Sequence, residues 1–303
     1  MNTQKIINAI KTIFYSYQLK IETPREIIVH RINKLFRGTK KALEIKEQRQ
    51  YKFLKEKFLK DTIWDFNGIK LPVYPKSFAL YRFVNYTYMD SLLVYCNYND
   101  NYDNKLIDKL DWILPEGTYG YKNDEIDVTV KKEDIVIDAG AWIGDFSAYA
   151  SVKGAKVYAF EPSKTTIDYL KITQQLNGNI HIVEKGLGNK HEVSYIETNE
   201  LNSGTNRITN SSINSEKIEI TTIDDFVAEQ KLNHVDFIKA DIEGFERYML
   251  EGAKETMKKF APKLAICTYH LPDDPQVLAK IILDANPNYI IVQKKKKLYA
   301  AVK

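Results

Sequence analysis

The stretch Asp134-Ile135-Val136-Ile137-Asp138-Ala139-Gly140-Ala141-Trp142-Ile143-Gly144-Asp145-Phe146-Ser147, with Lys156-Val157-Tyr158-Ala159-Phe160-Glu161-Pro162 after it, constrains this chain more than any other. A short run of β-branched apolar residues ends in Asp-x-Gly-x-x-x-Gly, an amphipathic helix pattern follows, and a second apolar run ends in an acid. That is the pattern of a β-α-β unit closing on a nucleoside. Glycines let the turn after the first strand bring its backbone against a ligand, and the acid ending the second strand can accept both hydroxyls of a ribose.

Two cofactor classes use this layout. A dinucleotide site needs Gly-x-Gly-x-x-Gly so that a helix N-terminus can meet a pyrophosphate. Here the third glycine is missing, and Asp138 stands two residues before Gly140. An acid beside the first glycine repels phosphate and suits the positively charged methionine end of S-adenosylmethionine, so the sulfonium cofactor is expected. The plain alternative is a strand-turn-helix that binds nothing.

At 303 residues with 44% hydrophobic content the chain has material for a real core. It shows no run of eighteen apolar residues and no secretory pattern at its start, so a cytoplasmic protein is expected. Its only cysteines, Cys96 and Cys267, lie far apart, which argues against a disulfide framework or a cysteine zinc site. Charge is uneven: residues 1–61 hold 15 Lys+Arg against 6 Asp+Glu, a balance of +9 that leaves −5 for the rest of a chain whose total is +4. Apolar spacing predicts helices over 6–21, from Thr23-Pro24 to Gly38, and from about Lys40 to Lys60. Such basic helices can lie on an anionic membrane as a peripheral contact, grip an anionic polymer or pair two subunits as a homo-oligomer. A solvated outer face is the plainer reading. Nucleic acid is not expected as a partner, because no RNA-binding signature accompanies the basic residues.

Three regions follow: a basic helical segment over 1–62, an aromatic-rich connecting or lid region over 63–120, and a catalytic α/β domain over 121–303. Aromatics from Trp64 to Tyr121 offer flat faces with polar tips that suit a sugar ring, and Tyr119 is the substrate-binding candidate nearest the nucleoside motif. Ile126 to Val130 alternates as a short strand. After Glu161 the pattern predicts a helix to about Leu176, a strand over Ile180 to Glu184, and a β-hairpin with a mobile tip over 199–215. Beyond them come a short helix from Thr222 and a strand over Val235 to Lys239. A helix over Phe245 to Lys259, the strand Lys263 to Cys267, a helix from Pro275 to Ala285 and an antiparallel terminal pair complete the chain.

The second informative stretch is Lys239-Ala240-Asp241-Ile242-Glu243-Gly244-Phe245-Glu246, three carboxylates in six residues at a strand end. Open α/β sheets place ligands there, and Thr268, Tyr269 and His270 reach the same edge. Asp241 and His270 are the candidate catalytic bases, and Glu243 and Glu246 are candidates for holding substrate, the turn or a cation. Glu246 reads as a helix N-terminal acid. Asp241, Glu243, Asp273 and Asp274 could converge on Mg²⁺, although no spacing demands a metal.

On these residues the chain resembles the FkbM family of S-adenosylmethionine-dependent O-methyltransferases. The matching stretches are Val-Ile-Asp-Ala-Gly-Ala-x-Ile-Gly-Asp-Phe-Ser at 136–147, Ala-Phe-Glu-Pro at 159–162 and Lys-x-Asp-Ile-Glu-Gly-x-Glu at 239–246. The resemblance implies a Rossmann-like seven-stranded methyltransferase sheet with an antiparallel C-terminal hairpin, and cofactor binding by Asp138, Gly140, Gly144 and Glu161. It also implies methylation of a hydroxyl on a sugar of a surface glycan or on a natural product. One departure is Trp142, where family members usually carry Asn. The alternatives are a non-catalytic nucleoside-binding protein and an NAD-dependent oxidoreductase.

Overall fold

The computed structural model describes residues 56, 58–73, 117–197, 207–209 and 215–303. The helices expected over 6–55 and the aromatics from Tyr74 to Trp112 lie outside the described residues. The chain divides into two units, Met1–Asp65 and Phe66–Lys303. Near the end of the first, Leu59–Lys60 (β1) pairs antiparallel with Ile63–Phe66 (β2), so the helix expected to reach Lys60 stops before Leu59.

The second unit continues with Ile69–Pro72 (β3), Tyr121–Lys122 (β4), Asp127–Val128 (β5), Ile135–Ala139 (β6), Asp145–Val152 (α1), Lys156–Phe160 (β7), Lys164–Asn177 (α2) and Ile180–Val183 (β8). Gly186–Leu187 (β9), Glu192–Glu197 (β10), Arg207–Thr209 (β11) and Ser215–Thr221 (β12) follow. Then come Ile223–Glu229 (α3), Phe237–Ala240 (β13), Glu246–Glu251 (α4), Lys254–Phe260 (α5), Lys263–Cys267 (β14), Asp274–Ala285 (α6), Tyr289–Lys294 (β15) and Lys297–Val302 (β16).

Seven strands form one sheet in the order β15-β16-β14-β13-β6-β7-β8. The five from β14 to β8 run parallel, and β16 runs antiparallel to both β14 and β15. This is the expected seven-stranded methyltransferase sheet with its terminal hairpin. The central strands are covered on both faces, which is why β6 and β13 are buried at every residue and read as unbroken apolar runs apart from Asp138 and Lys239. The core beneath them holds Ile137, Ile238, Leu264, Met249 and Leu298, all fully buried.

The topology fixes where a ligand can sit. From β6 the chain moves outward through β7 and β8, then returns to lay β13 against the other side of β6. The crevice outside the carboxyl ends of β6 and β13 is therefore the switch point, and both sequence motifs end there.

Two elements depart from the sequence reading. The helix expected over Phe245 to Lys259 is two helices, α4 and α5, parted where the Gly252 carbonyl accepts the Asp224 N–H at 2.9 Å. The expected hairpin forms from β10 and β12, but the stretch between them contributes a further strand, β11, paired antiparallel with β10. No helix among the described residues is long and apolar enough to cross a membrane.

Candidate active site

The turn after β6 packs against its own protein more closely than the glycine spacing alone suggests. Gly140 has φ +74, and a Cβ there would overlap the Asp241 carbonyl oxygen and come within 2.9 Å of Ile242 Cγ2. Gly144 has φ +87, and its Cβ would lie 2.7 Å from Leu170 Cδ1 and 2.9 Å from Thr173 Cγ2. Gly140 thus lets the two motif turns touch, and Gly144 seats α2.

Between these glycines Trp142 adopts φ +51, a left-handed backbone that asparagine tolerates better than a bulky side chain. An Asn, the residue that the resemblance leads one to expect here, would take up this backbone with less strain. What the turn requires of residue 142 is its N–H, which donates to Glu161 Oε2 at 2.9 Å, while the Ser163 N–H donates to Oε1 at 2.9 Å. Glu161 is buried, and beside its Trp142, Ser163 and Thr166 donors the carboxylate keeps acceptor capacity for a sugar hydroxyl. Its carboxyl is raised to about 7: burial drives it up, and the Ser163, Thr166 and Trp142 donors and Lys239 only partly oppose this.

Asp138 is fully buried and already partnered. Ser147 Oγ donates to its Oδ2 at 2.6 Å, and the Lys239 ammonium lies 3.0 Å from Oδ1. Asp138 Oδ1 has an ion-pair neighbour without the geometry of a hydrogen bond. Lys239 also donates to the Gly140 carbonyl at 2.7 Å, fastening β13 to the turn after β6. Although burial lowers the pKa of this ammonium, Asp138, Asp241 and Asp145 outweigh the effect and raise it. Burial in turn pushes the Asp145 carboxyl up to about 6, with Lys239 opposing and Asp138 adding to the rise. Among the described residues, the carboxyl groups of Asp138, Asp145 and Glu161 stand around the turn with the Lys239 ammonium, and burial raises the pKa of the last two acids. This predominance of acidic groups fits a nucleoside carrying a positive sulfonium centre and opposes a pyrophosphate.

The second motif makes a turn whose backbone is held by Glu246. Glu243 and Gly244 have φ +55 and +102, and the fully buried Glu246 accepts the Ile242 and Gly244 N–H groups at 2.8 and 3.0 Å. Glu246 is therefore more than an acid at a helix start: it fixes the loop that carries Asp241. Tyr119 donates to Asp241 Oδ2 at 2.6 Å and Tyr269 to Oδ1 at 3.1 Å. The Lys297 and Lys239 ammonium groups stand 4.4 and 5.2 Å from the centre of the Tyr119 ring. Burial alone would raise the Asp241 carboxyl, but Lys239, Lys297 and the Tyr119 hydroxyl hold it below the usual range. His270 lies among acids, with Nδ1 3.0 Å from Glu246 Oε1 and Nε2 3.5 Å from Asp241 and 3.6 Å from Glu243. Burial lowers its pKa, yet Glu243, Glu246 and Asp241 together carry it up to about 10.

The structure thus brings Tyr119, Asp241, Glu243 and His270 together, and joins Gly140 to them through the Asp241 carbonyl. The four-carboxylate metal set does not assemble. Asp273 and Asp274 instead accept from Arg247 Nη2 at 2.9 and 2.6 Å, and Asp274 caps the Leu271 N–H. Sequence reasoning assigned no role to Lys239, Lys297 or Asp145. Lys239 was visible in its motif, but a lysine inside a strand gives no sign that it is buried against an acid opposite it on the neighbouring strand, 101 residues earlier in the chain.

Residues 138–290, slightly more than half of the chain, match the methyltransferase FkbM domain. Among solved structures, the FkbM methyltransferase of Methylobacillus flagellatus is similar at 18% identity and a TM-score of 0.44, over 86% of this chain and 59% of that one. The chain thus spans less than two thirds of that protein's length. Fibrillarin of Aeropyrum pernix, solved with S-adenosylmethionine bound, is 12% identical over 58% of this chain and 70% of its own, with a TM-score of 0.37. A methyltransferase of Aquifex aeolicus is 15% identical over 57% of this chain and 83% of its own, with a TM-score of 0.33. No curated protein matches the chain. The domain match, the strand order and the two motif turns meeting at the switch point agree, and the chain belongs to the FkbM family of S-adenosylmethionine-dependent methyltransferases.

Proposed function

We propose that the chain methylates a hydroxyl oxygen of a sugar, in a glycan or a natural product, with Asp241 taking the proton. The observation that carries this reading is a carboxylate at the switch point, 22% exposed and held by two tyrosine hydroxyls, one on each oxygen. S-adenosylmethionine supplies an electrophilic methyl group on a positively charged sulfur. A hydroxyl attacks weakly while it keeps its proton, and a positioned base adds about 10²–10⁴ in rate. His270 is not offered to an acceptor in the same way, since it is 4% exposed and its ring nitrogens face carboxylates. Because the Asp241 carboxyl is held low, its contribution comes from placement as much as from proton affinity, and alignment carries much of the remainder. Tyr119 orients Asp241, and Glu243, on the same turn, stands where it can hold an acceptor.

Labelled methyl from trideuterated cofactor should appear on oxygen when free sugars and glycosides are incubated with the protein and analysed by mass spectrometry. Label found on nitrogen alone, or calorimetry showing tight NAD binding and none of S-adenosylhomocysteine, would overturn the reading.

Glu161 sets the pH response of cofactor binding. Ribose hydroxyls donate to the ionised carboxylate, so a carboxyl at about 7 must lose its proton when the nucleoside binds. Affinity for S-adenosylhomocysteine should therefore rise roughly tenfold between about pH 6 and pH 8, and Glu161→Gln should flatten that rise in calorimetry. The same shift acts on stability with the opposite sign. The folded chain keeps a proton that the unfolded chain has lost between 4.5 and about 7, so this group's contribution falls as pH rises through that window.

A further inference from the structure

We infer that Asp241 Oδ1, Glu243 Oε2 and His270 Nε2 form a binding site for a first-row divalent metal ion such as Mn²⁺. Their donor atoms all lie within 4.8 Å of one another. Nε2 stands 3.5 Å from the Asp241 oxygen and 3.6 Å from the Glu243 oxygen. These separations are too long for good hydrogen bonds. They are slightly wider than the roughly 3.0–3.4 Å that parts two donors bound to one ion at about 2.1 Å, so side-chain movements that draw the two carboxylates inward close the site.

The imidazole is a second, independent pointer. It is 4% exposed, and neither ring nitrogen makes a hydrogen bond of proper geometry, which a buried polar side chain rarely tolerates. Nδ1 approaches Glu246 Oε1 at 3.0 Å, and Glu246 is itself fixed by the Ile242 and Gly244 N–H groups. A small ring rotation turns that approach into a hydrogen bond. The result is a carboxylate–histidine–metal relay: an ion bound between Asp241 and Glu243 displaces the Nε2 proton to solvent, and the proton left on Nδ1 faces Glu246. Tyr119 donates to Asp241 Oδ2, and Tyr269 donates to Oδ1, whose second lone pair stays available to the ion.

One imidazole and two carboxylates suit Mn²⁺, Fe²⁺ or Zn²⁺ better than an all-oxygen Mg²⁺ site. Three protein donors also leave positions open, as in catalytic rather than structural centres. Those positions are where an acceptor hydroxyl would bind, a role that rests on the proposed methyl transfer; the ion's presence does not.

The test uses full-length protein stripped with chelator and titrated with Mn²⁺ alone, followed by electron paramagnetic resonance of the free ion, with Zn²⁺ titrated by calorimetry. S-adenosylhomocysteine binding is measured on the same sample. One Mn²⁺ should bind per chain, at least about tenfold more weakly in Glu243→Gln and about 10–100-fold more weakly in Glu246→Gln. Absence of binding by either metal, or unchanged affinity in both variants, overturns the site. Normal S-adenosylhomocysteine binding in that sample leaves the methyl-transfer reading standing, so the two failures are told apart.

Discussion

Asp241→Asn should lower the rate of methyl transfer by about 10²–10⁴ while changing the affinity for S-adenosylhomocysteine by only a few-fold. The amide is close to the carboxylate in size and retains an oxygen for the Tyr119 or Tyr269 hydroxyl, so the turn keeps its shape. On the proposed mechanism, what is lost is the place for the acceptor's proton. Single-turnover rates with saturating acceptor separate this from a binding defect. A variant with wild-type turnover would remove Asp241 from the chemistry and leave it as the anchor of Tyr119 alone.

Gly140→Ala should be the most damaging of the small substitutions. Its Cβ would overlap the Asp241 carbonyl oxygen, a backbone atom that cannot rotate away, and φ +74 adds strain of its own. Destabilisation of more than about 4 kcal/mol is expected, a fall of roughly 8 °C or more in melting temperature for a domain of this size. Gly178→Ala is the control. Gly178 also has positive φ, at +67, but a Cβ there meets nothing within 4 Å, so only backbone strain of about 1–3 kcal/mol applies. Equal melting temperatures for the two variants would show that the contact between the motif turns does not matter.

The parts of the fold that were legible in the sequence are those whose signal is local. Apolar runs ending in turn residues marked β6, β7 and β14, and the terminal pair of alternating runs marked the β15–β16 hairpin. The acids Asp241 and Glu161 could be placed because a strand's end is where such a fold meets its ligand. What stayed hidden depends on distant partners. The parting of α4 from α5 follows from a hydrogen bond between Asp224 and Gly252 that no helical period announces. Gly140 owes its place to a carbonyl a hundred residues along the chain, and Asp273 and Asp274 were diverted from the site by Arg247. Trp142 stands out in the sequence only as a departure from the family's usual Asn, and its part as a backbone donor in a left-handed turn appears only in the structure.

The pairing of Asp138 with Lys239 also limits how such a chain can diverge. Neither charge has water to turn to, and removing one partner of a buried pair strands the other at a cost of about 3–5 kcal/mol, a large share of a domain's total stability. A lineage cannot pass through either single loss at leisure. The two positions, 101 places apart along the chain, are therefore expected to change together or not at all, the tolerated exchange being a pair that fills the same space without charge.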